Sequence, residues 1–293
     1  MRILATQPLP GPAWDEVEVE YAEAWPPERE LAGLDAVVVV NQRVDDGVLD
    51  LLPGLRLVAN YGVGYDQVDV EACRARGVAV SNTPGVLDAA VADLTIALVL
   101  ACVRRVVWGD RFVRAGGWQR GWAQPERMGH DVAGARLGLV GLGRIGSQVA
   151  LRAEAFGMEG VHHRRSDGLP LEELLRTSDV VSLHVPLTPE TTGLLTRERL
   201  ALLRDGATLV NTARGLVVDE EALVDELASG RIWAGLDVFV HEPRVPERLL
   251  GLENVVLSPH AASATVETRA AMTRLVVDNL LAFARGEPLV TPV

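Results

Sequence analysis

The amino-acid sequence predicts an α/β protein made of two doubly wound parallel-sheet domains. Three observations predict it. At 293 residues and 31.5 kDa the chain is long enough for two separate cores. Short apolar runs alternate with helical patterns from end to end, which is the rhythm of βαβ units. Polar residues capable of chemistry recur where those runs stop, at strand carboxyl ends, where open α/β sheets bind their ligands.

The first ninety residues set the rhythm. Strands are predicted over 2–6, 17–21, 36–40, 55–60 and 78–81, with helices over 46–52 and 67–76, the second stopped by Gly77. The fourth strand runs into Asn60-Tyr61-Gly62-Val63-Gly64-Tyr65-Asp66. Two glycines there leave bare backbone N–H groups at a strand's carboxyl end, which suits either a ligand loop or an ordinary tight turn. After the turn Asn82-Thr83-Pro84-Gly85, a long helix is predicted over 87–107. It is apolar on more than one face, so both domains or a second subunit must cover it. The segment 110–131 reads as mostly irregular, and its Gly116-Gly117-Trp118 and Trp122 suit a pocket lid, a subunit contact or core filling.

The stretch 136–166 organises the rest. Leu137 to Val140 reads as a buried strand, followed by Gly141-Leu142-Gly143-Arg144-Ile145-Gly146 and an amphipathic run to Phe156. Strand, glycine turn and helix in that order give a G-x-G-x-x-G signal its meaning as a dinucleotide site. The first glycine allows the turn, the second admits a pyrophosphate to the backbone, and the third lets helix and strand pack closely. The open N–H groups at the helix start then face the phosphates. The next strand, 160–163, should end on the residue that reads the adenosine ribose. An acidic residue there would indicate NAD, but the chain has Arg164-Arg165-Ser166 with Asp167 only afterwards. Two guanidiniums and a hydroxyl suit a 2′-phosphate, so NADP(H) is the expected cofactor and NAD(H) the possible one. Alternatively the two arginines are solvated and Asp167 holds a ribose.

Beyond this point helices are predicted over 171–176, 197–203 and 219–228, and strands over 180–185, 208–212, 235–238 and 255–258. A last helix over 266–284 is stopped by Gly286 and Pro288 and crosses back to the N-terminal unit. Arg214, Glu242 and His260 stand at ends of these elements. Arg beside a cofactor offers a fork for a carboxylate or ketone oxygen. His with a carboxylate partner is the usual proton-donating arrangement. Singly, each also fits a structural role.

Composition excludes several classes. A net charge of −12 argues against nucleic-acid or acidic-membrane partners. All 28 basic residues are Arg, so Schiff-base chemistry and a lysine base are excluded. Cys73 and Cys102 have no paired spacing and read as small buried residues in a reducing compartment, with neither disulfide nor metal site. The chain starts directly on a strand without a leader pattern, and its longest apolar stretch, 89–103, contains Asp93 and falls short of the roughly 20 residues a membrane span needs. A cytoplasmic location without a membrane anchor is the expectation.

The stretch 60–66 resembles the D-isomer-specific 2-hydroxyacid dehydrogenases, and so do Asn82 to Leu87, Val140 to Gly146, His184-Val185-Pro186-Leu187-Thr188, Asn211-Thr212-Ala213-Arg214-Gly215, Leu236-Asp237-Val238-Phe239 and Ser258-Pro259-His260. The resemblance covers essentially the whole chain. It implies a Rossmann cofactor domain, residues 89–265 with a dimerisation helix near 87–107, inserted into a flavodoxin-like substrate domain formed by 1–88 and 266–293. It also implies that Arg214 binds the substrate carboxylate and carbonyl and that Glu242 and His260 form the proton-donating pair. Gly62, Val63 and Gly64 would hold the carboxylate through backbone N–H groups, and Asp237 the nicotinamide amide. Val185, Pro186, Thr191, Thr212, Ala213, His260 and Ala262 would line the cofactor.

The chain departs from the family pattern in places. The segment 232–237 is one residue short, Val91 replaces a common Thr, and Ala261-Ala262-Ser263 replaces a glycine-rich run, which crowds the nicotinamide wall. Phosphite dehydrogenase, a relative, has a Lys near Val63; none is present here, which argues against that activity. With Arg164, Arg165 and the tryptophans after the long helix, the chain looks most like the NADPH-dependent glyoxylate/hydroxypyruvate reductases, homodimers in which that tryptophan segment contributes to the partner subunit's site. The alternatives are a D-3-phosphoglycerate dehydrogenase-like enzyme and a co-repressor-like protein that senses nicotinamide cofactors. The complete Arg214, Glu242 and His260 set and the lack of an appended domain or tail favour the reductase.

Overall fold

The computed structural model describes residues 1–119 and 128–293, and the chain divides into two compact units. Unit 1 is discontinuous, Met1–Asp88 with Ser263–Val293, and unit 2 is Ala89–Ala262.

Unit 1 is a five-stranded parallel sheet of β1 (Ile3–Ala5), β2 (Glu20–Tyr21), β3 (Ala36–Val39), β4 (Leu57–Asn60) and β5 (Ala79–Ser81), in the order β2-β1-β3-β4-β5. β3 and β4 are buried at every residue, as central strands with both faces covered must be. The edge strand β2 is only two residues long and exposed, shorter than the span 17–21 that the sequence suggested. The short helices α1 (Asp46–Asp50) and α2 (Val70–Ala75) start on Asp45 and Asp69, whose carboxylates accept from the N–H groups of Val48 and Ala72. A later helix of the same unit spans Val266–Ala284 and is capped by Thr265 in the same way. It packs against β4 and against a 3₁₀ turn at Pro12–Glu16.

Unit 2 opens with α3 (Asp88–Val103), half of whose side chains are buried, and α4 (Val106–Arg114). The single helix expected over 87–107 is in fact broken, and the segment from 110, read as irregular, is helical as far as Arg114. The break is Arg105, in the left-handed region at φ 54. Its guanidinium lies 4.6 Å from the centre of the Trp233 ring, a cation–π contact that offsets the cost of that backbone. Hydrophobic periodicity carries no trace of a partner so far along the chain. Trp118 is exposed, and Trp122 lies outside the described residues.

The sheet of unit 2 has six parallel strands: β6 (Arg136–Val140), β7 (Glu159–His163), β8 (Val180–Leu183), β9 (Thr208–Asn211), β10 (Trp233–Leu236) and β11 (Val255–Leu257). Their order, β11-β10-β9-β8-β6-β7, reverses between β6 and β8. Between the strands run α5 (Arg144–Ala155), α6 (Leu171–Thr177), α7 (Arg197–Leu200), α8 (Glu220–Ala228) and α9 (Glu247–Leu250), and the helix Val266–Ala284 is α10. One apolar core packs α6, α7 and α8 on the sheet, and another packs α3 and α5 on it. Gly235 on β10 is what lets α3 come so near, since a Cβ there would sit 2.9 Å from that of Leu98. Among the described residues no helix is long and apolar enough to cross a membrane, and no cluster of His, Cys, Asp and Glu could hold a metal.

Candidate active site

The glycine turn lies where the strand order of unit 2 reverses, the position at which such sheets bind ligands. Its three glycines are required for three different reasons. Gly141 has φ +95, and a Cβ on it would lie 2.6 Å from the carbonyl oxygen of His184. Gly146 faces the Gly141 carbonyl so closely that no side chain fits, which locks α5 onto the turn. Gly143, the N-cap of α5, has an ordinary φ of −82, and nothing lies within 4 Å of where its Cβ would be. That bare space beside the first N–H groups of a helix is a cradle a Cβ would fill, and it fits a pyrophosphate. Gly143→Ala should therefore leave thermal stability unchanged and weaken dinucleotide binding about tenfold or more, while Gly146→Ala should lower stability by about 2 kcal/mol. Calorimetric titration alongside thermal unfolding checks both; equal stability losses would refute the division of roles.

His184 lies beneath this turn. Desolvation pushes its imidazole down to about 4, so it stays neutral, and its Nε2 is 2.9 Å from the Ser182 hydroxyl. Beyond β8, Thr191 donates to the Pro186 carbonyl at 2.6 Å and accepts from the N–H of Thr188 at 2.8 Å. Thr191 thus braces the loop that carries Val185 and Pro186. Thr212 meets Thr95 of α3 at 3.0 Å, and Thr95 in turn donates to the carbonyl of Val91.

At the end of β7 both carboxylate oxygens of Asp167 accept from Arg164, each at 2.7 Å. A third guanidinium N–H reaches toward the Leu142 carbonyl of the glycine turn, at 3.4 Å. The two groups that the sequence offered as alternatives for the ribose end, Arg164 and Asp167, are therefore partners of one another.

The polar residues at the ends of β9, β10 and β11 come together. The Nδ1 of His260 is 2.7 Å from Glu242 Oε2, and Glu242 Oε1 accepts from the N–H of Phe239 at 3.0 Å. Burial pushes the Glu242 carboxyl up, but the bonds from His260 and Phe239 and the charges of His260 and Arg214 outweigh it, leaving the group below the usual carboxylate range. The stability this contributes is present at neutral pH and is lost as pH falls through the lowered value. The one-residue contraction before Asp237 thus leaves the pair intact. His260 has φ 52, a left-handed conformation held by its N–H to the Asp237 carbonyl at 2.8 Å. Arg214 is braced through Asn211, whose side chain bonds the carbonyl of Arg214 and the N–H of Ala213, and the Arg214 Nη1 donates to the Ala213 carbonyl at 2.7 Å.

Asp237 is fully buried, and its carboxylate accepts from the N–H groups of Ala261 at 2.8 Å and Ala262 at 3.0 Å. These two bonds fix the turn that carries His260.

In unit 1 the loop after β4 is tied down from its carbonyl side. Asn60 donates to the carbonyls of Gly62 and Gly64, at 3.1 and 2.9 Å, and Asn82 donates to that of Val63 at 2.9 Å. In a trans peptide the N–H points opposite to the C=O, so the N–H groups of Val63, Gly64 and Tyr65 are turned the other way. Asn82 is itself held through its carbonyl by Thr291, which is held by the buried Asn279 of α10. No site role for the side chains of Asn60, Asn82 or Asn279 was expected from the sequence; the one available signal was an Asn just ahead of a glycine pair at a strand end.

Fold and site together define a nicotinamide-dinucleotide-dependent oxidoreductase. Residues 96–262 match the family model for the NAD binding domain of the D-isomer specific 2-hydroxyacid dehydrogenases. The chain is 45% identical to a glyoxylate reductase of Korarchaeum cryptofilum, over 98% of this chain and 93% of that protein. Among solved structures, the TT0316 protein from Thermus thermophilus superposes with a TM-score of 0.92 at 46% identity, with 100% of each chain covered. An NADPH-dependent glyoxylate/hydroxypyruvate reductase from Sinorhizobium meliloti, in complex with NADP and malonate, gives 0.89 at 39% identity over 100% of this chain and 96% of that one. The chain belongs to the D-isomer specific 2-hydroxyacid dehydrogenase family.

Proposed function

We propose that the protein reduces a small 2-oxoacid, glyoxylate or hydroxypyruvate, to the D-2-hydroxyacid with NADPH as the preferred reductant. The observation that carries this reading is the His260–Glu242 pair at 2.7 Å, with the charge of Arg214 bearing on the same carboxylate. The relatives named glyoxylate reductase support the substrate class. A bound nicotinamide supplies the hydride for the carbonyl carbon; the chain's residues do the rest. With Nδ1 engaged by Glu242, the Nε2 of His260 is the nitrogen left to give a proton to the carbonyl oxygen as it becomes an alkoxide. Glu242 fixes that tautomer and stabilises the imidazolium. The guanidinium of Arg214 orients the acid and balances the charge growing on its oxygen. The N–H groups of Val63 and Gly64 take the substrate carboxylate, that of Gly62 being bonded to the Asn60 carbonyl at 3.0 Å, and Arg164, Arg165 and Ser166 take the adenosine 2′-phosphate.

Steady-state reduction of both acids with NADPH and with NADH tests the reading. NADPH should be favoured by at least about tenfold in kcat/KM. Faster turnover with NADH would overturn the cofactor assignment, and no turnover of either acid the substrate assignment. The same proposal includes a cytoplasmic homodimer, with α3 and α4 as the dimer element. Sedimentation at micromolar concentration should give twice the chain mass.

A further inference from the structure

Asp167 competes for the group that the 2′-phosphate needs. Arg164 follows directly on β7, beside the glycine turn, and both its Nε and its Nη2 are committed to the Asp167 carboxylate at 2.7 Å. The backbone repeats the pairing, since the N–H of Arg164 donates to the Asp167 carbonyl at 2.9 Å. Gly168, at φ +88 and pressed against the His162 carbonyl, fixes the turn in which the two residues face each other. The carboxylate has a second neighbour, His162 Nε2, 3.5 Å from Oδ1.

We propose that Asp167 is a cofactor-selectivity residue, which restrains the preference for NADP(H) by holding Arg164 in a two-bond ion pair. The inference rests on the reading of Arg164 as the 2′-phosphate ligand. A 2′-phosphate must draw the guanidinium away from a carboxylate that already makes two charge-assisted bonds to it, and it arrives beside a second negative charge. A 2′-hydroxyl meets neither obstacle and can donate to the same carboxylate. The selectivity of the chain is therefore a balance, with Arg164 and Arg165 on one side and Asp167 on the other. His162 gives Asp167 a polar neighbour once Arg164 has moved to a phosphate.

The test is a titration of the full-length protein with NADPH and, separately, with NADH, followed by nicotinamide fluorescence in the absence of any 2-oxoacid. Asp167 is half exposed, so Asp167→Asn removes the charge without disturbing a core. The variant should bind NADPH about fivefold more tightly and NADH no better, the most that a part-exposed ion pair commonly contributes. In an Arg164→Ala background the same substitution should shift the ratio less than in the unaltered protein, because only the repulsion between the carboxylate and the phosphate is left to remove. A selectivity ratio that Asp167→Asn leaves unchanged, or moves toward NADH, would overturn the proposal. So would an undiminished shift in the Arg164→Ala background. Failure of the underlying readings shows differently. Arg164→Ala with undiminished NADPH affinity would remove Arg164 from the phosphate and Asp167 from its role with it. Normal cofactor binding without turnover would sink the 2-oxoacid reading alone.

Discussion

His260→Ala is expected to lower kcat by roughly 10²-fold or more while the dissociation constant for NADPH stays close to that of the unaltered protein. The reason is geometric. Glu242 is held by two bonds, from His260 Nδ1 at 2.7 Å and from the N–H of Phe239 at 3.0 Å, and only the first is lost in the variant. The carboxylate therefore stays in place, but the ring that hands a proton to the substrate oxygen is gone. Water must then protonate the alkoxide, without the orientation that the ring provides. Pre-steady-state and steady-state reduction of hydroxypyruvate, with unfolding measured in parallel, checks the expectation. Turnover within a few-fold of normal in a folded variant would remove His260 from the proton-donating role.

Gly215→Ala should be the most damaging single methyl group in the chain. Gly215 is buried and opens the 3₁₀ turn Gly215–Val217 immediately after Arg214. A Cβ there would overlap the carbonyl carbon and oxygen of Phe239 and the nitrogen of Val240, all backbone atoms with no rotamer to escape into. Nor can that backbone withdraw, because the N–H groups of Phe239 and Val240 are bonded to the carboxylates of Glu242 and Glu220. We expect a loss of about 3 kcal/mol or more, the upper end of what overpacking costs. Any folded fraction should show kcat falling further than cofactor affinity, because Arg214 and Glu242 flank the displaced segment. Gly251→Ala is the matched control, with nothing within 4 Å of the added carbon, and should be close to neutral. Equal stability of the two variants by thermal unfolding would show that the close approach of the two backbones is not a constraint.

The parts of this molecule that could be read from the sequence are those set by near neighbours. Ala36–Val39 and Leu57–Asn60 announce buried central strands because continuous apolar runs of that length have few other uses. The turn from Gly141 to Gly146 is legible because each glycine answers a local steric demand. The proximity of His260 to Glu242 follows less from local pattern than from family resemblance, since eighteen residues and a strand separate them. What escaped reading depends on distant partners. Arg105 breaks a helix that periodicity continues, because Trp233 waits for its guanidinium. Arg164 and Asp167 are three residues apart, yet the sequence could not say that they pair with each other. Asp237 holds the N–H groups of Ala261 and Ala262, residues far along the chain that no local pattern links to it. The clamp on Val63 runs through Asn82, Thr291 and Asn279, and no window of sequence contains it.

That clamp imposes an order on biogenesis. Synthesis runs from the N-terminus, and the continuous unit Ala89–Ala262 has all its strands once residue 262 has emerged from the ribosome. The first unit has not. Its β4 lacks the packing of α10, and its Val63 carbonyl lacks the brace that ends at Thr291, until the final thirty-odd residues arrive. The loop after β4, translated well before unit 2, is thus among the last parts of the chain to take shape.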